Sequence, residues 1–196
     1  DTQKDYPRTA IYYRVMHVCI PYSGRFVEEV VKYKNMFSPE LTIIHSTVPP
    51  GTTKKLGKGV VHSPVNGRHP NRDDGIRVFK KFVGGEDVYA VFNAVQFLMQ
   101  AGLLCYVASS SKTTELAKIL CTTRLGWDVM FMKEVARICQ EQGVPFHEVY
   151  TEWTGAYNEG YSLLGEKRFF RPVIYPLGGK IGGHCVVPNF ELFHDW

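Results

Sequence analysis

Two side chains in this sequence could do covalent or acid–base chemistry. The first is Cys185, in the stretch Gly178-Gly179-Lys180-Ile181-Gly182-Gly183-His184-Cys185-Val186-Val187-Pro188-Asn189. Glycine admits torsions closed to other residues and lets a ligand approach the main chain. A thiol beside such a loop reads as a nucleophile next to a wrapped substrate. The alternative is a turn before a small buried cysteine, since free cysteines are usually buried. The second is Lys118, in Glu115-Leu116-Ala117-Lys118-Ile119-Leu120. Apolar neighbours lower a lysine's pKa and can make it an acid–base group. The same lysine could extend to solvent along the helix surface or pair with Glu115.

Other candidates are weaker. Ser46-Thr47-Val48-Pro49-Pro50-Gly51-Thr52-Thr53 opens a short helix over 52–57. Free amides at a helix start can hold an anion or a cofactor, or Thr52 or Thr53 can simply cap the helix. His17, His45, His62 and His69 flank strands and loops without a His-x-x-x-His spacing. His184 and Cys185 are adjacent but have no partner motif, so no metal site is expected. A protonated His184 would lower the pKa of the neighbouring thiol.

These residues need a frame, and the apolar pattern supplies one. Short apolar, β-branched runs at 16–20, 41–45, 59–62 and 103–108 read as strands. Helical spacing occupies 26–36, 76–81 and 86–101. Strands alternating with helices predict a parallel α/β sheet. After Ser109-Ser110-Ser111 the strand signals stop, and a long helix is expected over Thr113 to Gln142. Its apolar face is wide, which fits burial by a second subunit or by the rest of the chain. Gly143-Val144-Pro145 ends it, and short helices are expected over 146–153 and 157–164. The aromatic, basic stretch from Arg168 to Tyr175 could stack a base, pair with phosphates, or pack as a loop.

Composition narrows the class. With 44% hydrophobic and 13% aromatic residues, a packed core is expected rather than disorder. A net charge of +4 is too mild for a nucleic-acid protein. No run reaches the ~18 apolar residues of a membrane span, so no membrane association is expected. Five scattered cysteines without a Cys-x-x-Cys pair fit free thiols in a reducing, cytoplasmic setting.

Several ordered segments together resemble the UDP-glucose/GDP-mannose dehydrogenases. They are Cys19-Ile20-Pro21, the loop from Ser46 to Thr53, His62-Ser63-Pro64, Val83-Gly84-Gly85, Glu115-Leu116-Ala117-Lys118 and Gly182-Gly183-His184-Cys185. The resemblance implies NAD-dependent oxidation of a nucleotide sugar's C6 alcohol to the uronic acid through a cysteine thioester. It makes Cys185 the nucleophile, Lys118 the cation that stabilises developing oxyanions, and Thr47 a neighbour of the nicotinamide and hydrolytic water. Gly178, Gly179, Lys180, Gly182, Gly183, Thr122 and Asn189 would contact the sugar nucleotide. Pro21, Ser46 and Thr47 would lie beside NAD, and the long helix would form a homodimer.

The sequence also departs from that pattern. No Gly-x-Gly-x-x-Gly precedes Cys19, where the family binds the NAD pyrophosphate. Thr122 stands for the family's asparagine, Asn189 for its aspartate and Val65 for its glutamate. A shortened member is therefore expected, and a catalytically silent nucleotide-sugar-binding or dimeric scaffold is the alternative. The expected architecture is a partial Rossmann-like α/β domain over 1–110 and a helical central domain with the cysteine loop over 111–196.

Overall fold

The computed structural model describes residues 12–67, 72–176, 178–179, 187, 189 and 191–192. The chain divides into two compact units, Asp1–Ile119 and Leu120–Trp196.

The first unit is built on parallel strands. β1 (Val15–Val18), β2 (Leu41–Ile44) and β3 (Val60–His62) lie side by side in that order. All four residues of β2 are buried. A parallel strand covered on both faces has to be apolar throughout, and Leu41, Ile43 and Ile44 meet that demand. Burying each of those side chains contributes about 1.5–3 kcal/mol.

One face of the sheet is covered by α1 (Phe26–Phe37), the crossover from β1 to β2, together with α2 (Thr52–Lys55). Its core holds Phe26, Val30, Ile44, Val48 and Val60. The other face packs Ile43, Val61 and Val83 against Ala90, Val91, Ala94 and Leu98 of α4 (Val88–Gln100). Asp87 caps α4 by accepting the Tyr89 and Ala90 amides, and its other oxygen accepts the Gly59 amide.

Two more strands, β4 (Lys81–Val83) and β5 (Cys105–Val107), pair in parallel. They join the first sheet at an antiparallel bridge between His62 and Gly84. Here the structure differs from the sequence reading. A helix over 76–81 was expected, yet α3 spans Arg72–Val78 and the chain then extends as β4. Lys81 and Val83 point inward while Phe82 is exposed. The period is two, but a lysine at an inward position conceals it.

α5 (Ser111–Gln142) begins in the first unit and continues into the second. In the second unit the described residues form helices and loops without a strand. Gly143, with φ of 67°, ends α5 in the left-handed region. The two short helices expected over 146–153 and 157–164 form one run. It starts with π-type turns at His147–Glu152 and passes directly into α6 (Trp153–Leu163). Gly155 does not interrupt it, because its backbone stays helical. The Arg168–Tyr175 stretch packs on α6. Asn158 brackets Arg171 with bonds to its carbonyl (2.8 Å) and amide (2.9 Å), and the Arg171 guanidinium lies 3.7 Å over the Tyr157 ring. No helix among the described residues is long and apolar enough to cross a membrane.

Candidate functional site

The opening turns of α5 tie together the loops that leave β2 and β3. Thr114, Glu115 and Lys118 lie close on one side of the helix, as the spacing of an α-helix dictates. Each reaches a different loop. Glu115 is fully buried, and its carboxylate accepts the Gly51 amide at 2.5 Å and the Thr53 amide at 2.7 Å. The helix start that could have held a ligand anion therefore holds a carboxylate of its own chain. Neither Thr52 nor Thr53 supplies a side-chain cap; Thr52 Oγ1 instead donates to the Pro49 carbonyl. Burial raises the Glu115 pKa, opposed by the hydrogen bonds from Thr53 and Gly51.

His62, also fully buried, spans between α5 and the β2 loop. Its Nδ1 lies 2.7 Å from Thr114 Oγ1, and its Nε2 lies 3.1 Å from the Ser46 carbonyl. Burial pushes its pKa down to about 3, so the ring is neutral. The Ser46 carbonyl can only accept, so that contact is served by a proton on Nε2, while the single Thr114 hydroxyl proton faces both Nδ1 and the Ser111 carbonyl at 2.9 Å.

Lys118 Nζ donates to the Val65 carbonyl at 2.8 Å and lies 3.5 Å from Asn66 Oδ1. Position 65 thus meets the lysine through its backbone, which a valine supplies as well as any residue. Lys118 is half-buried at the carboxyl end of β3, the end of a parallel sheet where α/β folds bind ligands.

A second cation lies in the same unit. Lys81 is only 4% exposed, and its ammonium donates to the carbonyls of Ser63 (2.8 Å) and Pro64 (2.9 Å). His45 Nδ1 donates to the Ser63 carbonyl at 2.8 Å, which leaves His45 Nε2 to accept from His17 Nδ1 at 2.9 Å. The two imidazoles stack with centroids 5.2 Å apart. Burial lowers Lys81 to about 8, offset partly by the Cys19 and Cys105 thiols. Burial and then Lys81 lower His45 to about 4. Sequence reasoning missed Lys81 because no motif includes it; the period-two run around it was the available signal. Among the described residues no group of three or more His, Cys, Asp or Glu side chains is placed to hold a metal ion.

The remaining candidates fall as follows. Ser46 Oγ donates to the Ile20 carbonyl at 2.6 Å, which joins the β2 loop to the turn carrying the exposed Pro21. Thr47, next in that loop, is half-buried. In the second unit, Thr122 is half-buried on α5 and Asn189 is buried. Gly178 and Gly179 are exposed, and the Gly179 carbonyl accepts from Lys133 Nζ. Cys185, Lys180, Gly182 and Gly183 lie outside the described residues.

Comparison with solved structures gives the fold a context. The UDP-D-ManNAc dehydrogenase of Pyrococcus horikoshii matches 91% of this chain at 20% identity, with a TM-score of 0.71. The UDP-glucose dehydrogenase of Pyrobaculum islandicum matches 93% at 19% identity, with a TM-score of 0.72. In both cases the chain spans 45% of the other protein's length. The 3-hydroxyisobutyrate dehydrogenase of Mycobacterium tuberculosis matches 92% of the chain at 14% identity, with a TM-score of 0.64, over 66% of its own length. No protein-family model matches the sequence, and no characterised protein matches it by sequence. The chain has the fold of a partial Rossmann-like dehydrogenase: parallel strands followed by a long central helix.

Proposed function

We propose that this chain belongs to the nucleotide-sugar dehydrogenases of the UDP-glucose/GDP-mannose type. In this reading it takes part in oxidising the C6 alcohol of a nucleotide sugar to the uronic acid. The observation that supports this most is the position of Lys118. Its ammonium is held at the carboxyl end of the sheet, in a chain whose fold follows nucleotide-sugar dehydrogenases over nine-tenths of its length.

The chemistry assigned to the chain's residues is as follows. The primary alcohol loses a hydride and a proton to become the aldehyde. The Cys185 thiol gives up its proton to water and, as the thiolate, adds to that carbonyl carbon, forming a C–S bond while the C=O π pair moves to the oxygen as developing negative charge. The Lys118 ammonium stabilises that charge. Loss of a second hydride leaves the thioester, and water cleaves the C–S bond to give the acid and the free thiol. Gly178, Gly179, Lys180, Gly182, Gly183, Thr122 and Asn189 would hold the sugar nucleotide.

NAD, when bound, accepts the hydrides. The turn at Ile20-Pro21 and the adjoining Ser46-Thr47 fit its nicotinamide end, since both follow parallel strands at their carboxyl ends. No pyrophosphate site is assigned among the described residues. The sequence contains no Gly-x-Gly-x-x-Gly, and Glu115 occupies the Gly51 and Thr53 amides. No step is assigned to residues around that part of the cofactor. The apolar side chains that α5 exposes, among them Leu125, Met130, Phe131 and Ile138, support a homodimer through this helix.

The test is NADH formation with NAD and, in turn, UDP-glucose, UDP-N-acetyl sugars and GDP-mannose. One of them should be turned over, and Lys118→Ala should lower kcat by roughly 10²–10³, the range for removing one oxyanion donor. No NADH with any of the sugars would remove the dehydrogenase reading.

A further inference from the structure

Two lysines from different elements grip one short segment. Lys81, at the start of β4, holds the carbonyls of Ser63 and Pro64. Lys118, on α5, holds the carbonyl of Val65 and approaches the side-chain oxygen of Asn66. Two ammonium groups therefore meet four successive residues. The backbone between them is stiff. Proline fixes φ at position 64 and restricts Ser63 before it, and the Pro64–Val65 peptide is planar. Holding the Pro64 carbonyl fixes the Pro64–Val65 peptide plane, so the Val65 carbonyl that meets Lys118 is displaced from a held plane only by the two torsions of Val65.

Lys81 is also a costly residue to place there. Among the described residues its partners are two backbone carbonyls and, at 3.4 Å, His45 Nδ1, with no carboxylate paired to it, and a cation buried in this way is unfavourable. We propose that Lys81 is a positioning residue for Lys118, fixing the 63–66 segment whose oxygens aim the Lys118 ammonium. This rests on reading Lys118 as the cation of the reaction.

The groups facing Lys81 are the Cys19 and Cys105 thiols, the His45 ring backed by His17, His62 of β3, and Lys118 itself. Of these, the thiols favour its charged form, while Lys118 and burial disfavour it.

The test is competitive acetylation of the whole chain with acetic anhydride, followed by mass spectrometry, with Lys118 compared against the exposed Lys54. In Lys81→Met the Lys118 rate should rise about two- to tenfold, the factor for losing one net hydrogen bond. Lys81→Gln keeps an N–H donor and should stay near the wild-type rate. A purely structural Lys81 would lower Tm on substitution and leave the Lys118 rate at its wild-type value; that result overturns the proposal. Should Lys81→Met fail to fold, Lys81→Leu, apolar and also without a donor, takes its place, and a folded variant whose Lys118 rate equals the wild type overturns the proposal. Acetylation needs neither sugar nor cofactor, so a chain that forms no NADH still answers this question separately.

Discussion

His62 shows how one residue can tie stability to pH. Its ring is fully buried between Thr114 and the Ser46 carbonyl, and it stays neutral down to about pH 3. In the unfolded chain it takes a proton near the ordinary value of 6.5. Between these two values the unfolded state binds more protons, so stability rises with pH. The contribution is fully present above about 6.5 and is lost as pH falls toward 3. From neutrality to pH 5 the loss from His62 alone is about 2 kcal/mol. Melting temperatures measured from pH 7 to 5 should fall steeply in the wild type and less steeply in His62→Gln. Parallel slopes for the two proteins would contradict the assignment. The partly buried His45, lowered to about 4, acts in the same direction.

At the scale of elements, the junction between β4 and α5 depends on Gly84. A Cβ added there would meet the Ser110 carbonyl oxygen at 2.2 Å and its carbon at 2.8 Å, both backbone atoms with little room to yield. Gly84→Ala should therefore cost about 1–3 kcal/mol, as overpacking typically does. Urea denaturation would measure it, and a midpoint equal to the wild type would show that the junction is looser than described. Gly85 sits beside it, and its added Cβ would press on Val61 and Val91.

These same elements show what could be read from the sequence. β2, α1 and α4 were legible because their burial is written in consecutive side chains, as in Leu41–Ile44 or Val91, Ala94 and Leu98. The long α5 was legible from unbroken helical spacing. β4 was concealed because Lys81 occupies an inward position, and only its acceptors at Ser63 and Pro64 explain that. The cap on α2 was not legible either. Glu115 lies far along the chain, and no local pattern links it to Gly51 and Thr53. The motif Glu115-Leu116-Ala117-Lys118 was visible as a string. That it sends a carboxylate to one loop and an ammonium to another is a property of the folded helix.

For the whole molecule, the proposed self-association follows from what α5 leaves uncovered. Phe131 is 62% exposed, and Leu125, Met130 and Ile138 are exposed too. Phe131 and Ile138 lie two turns apart on one side of the helix, and exposed apolar side chains sharing a face favour a partner. Light scattering should give twice the chain mass for the wild type and a monomer for Phe131→Glu. A wild type that stays monomeric at high concentration would remove the dimer from the account.

The most direct measurement concerns Cys185 and Lys118 together. Alkylation of the thiol and acetylation of the amine would be followed by mass spectrometry with and without UDP-glucose, UDP-N-acetyl sugars and GDP-mannose. If both residues serve one substrate, the same nucleotide sugar should slow both reactions, with matching concentration dependence. Protection of neither residue by any of these sugars, or of one residue without the other, would contradict it.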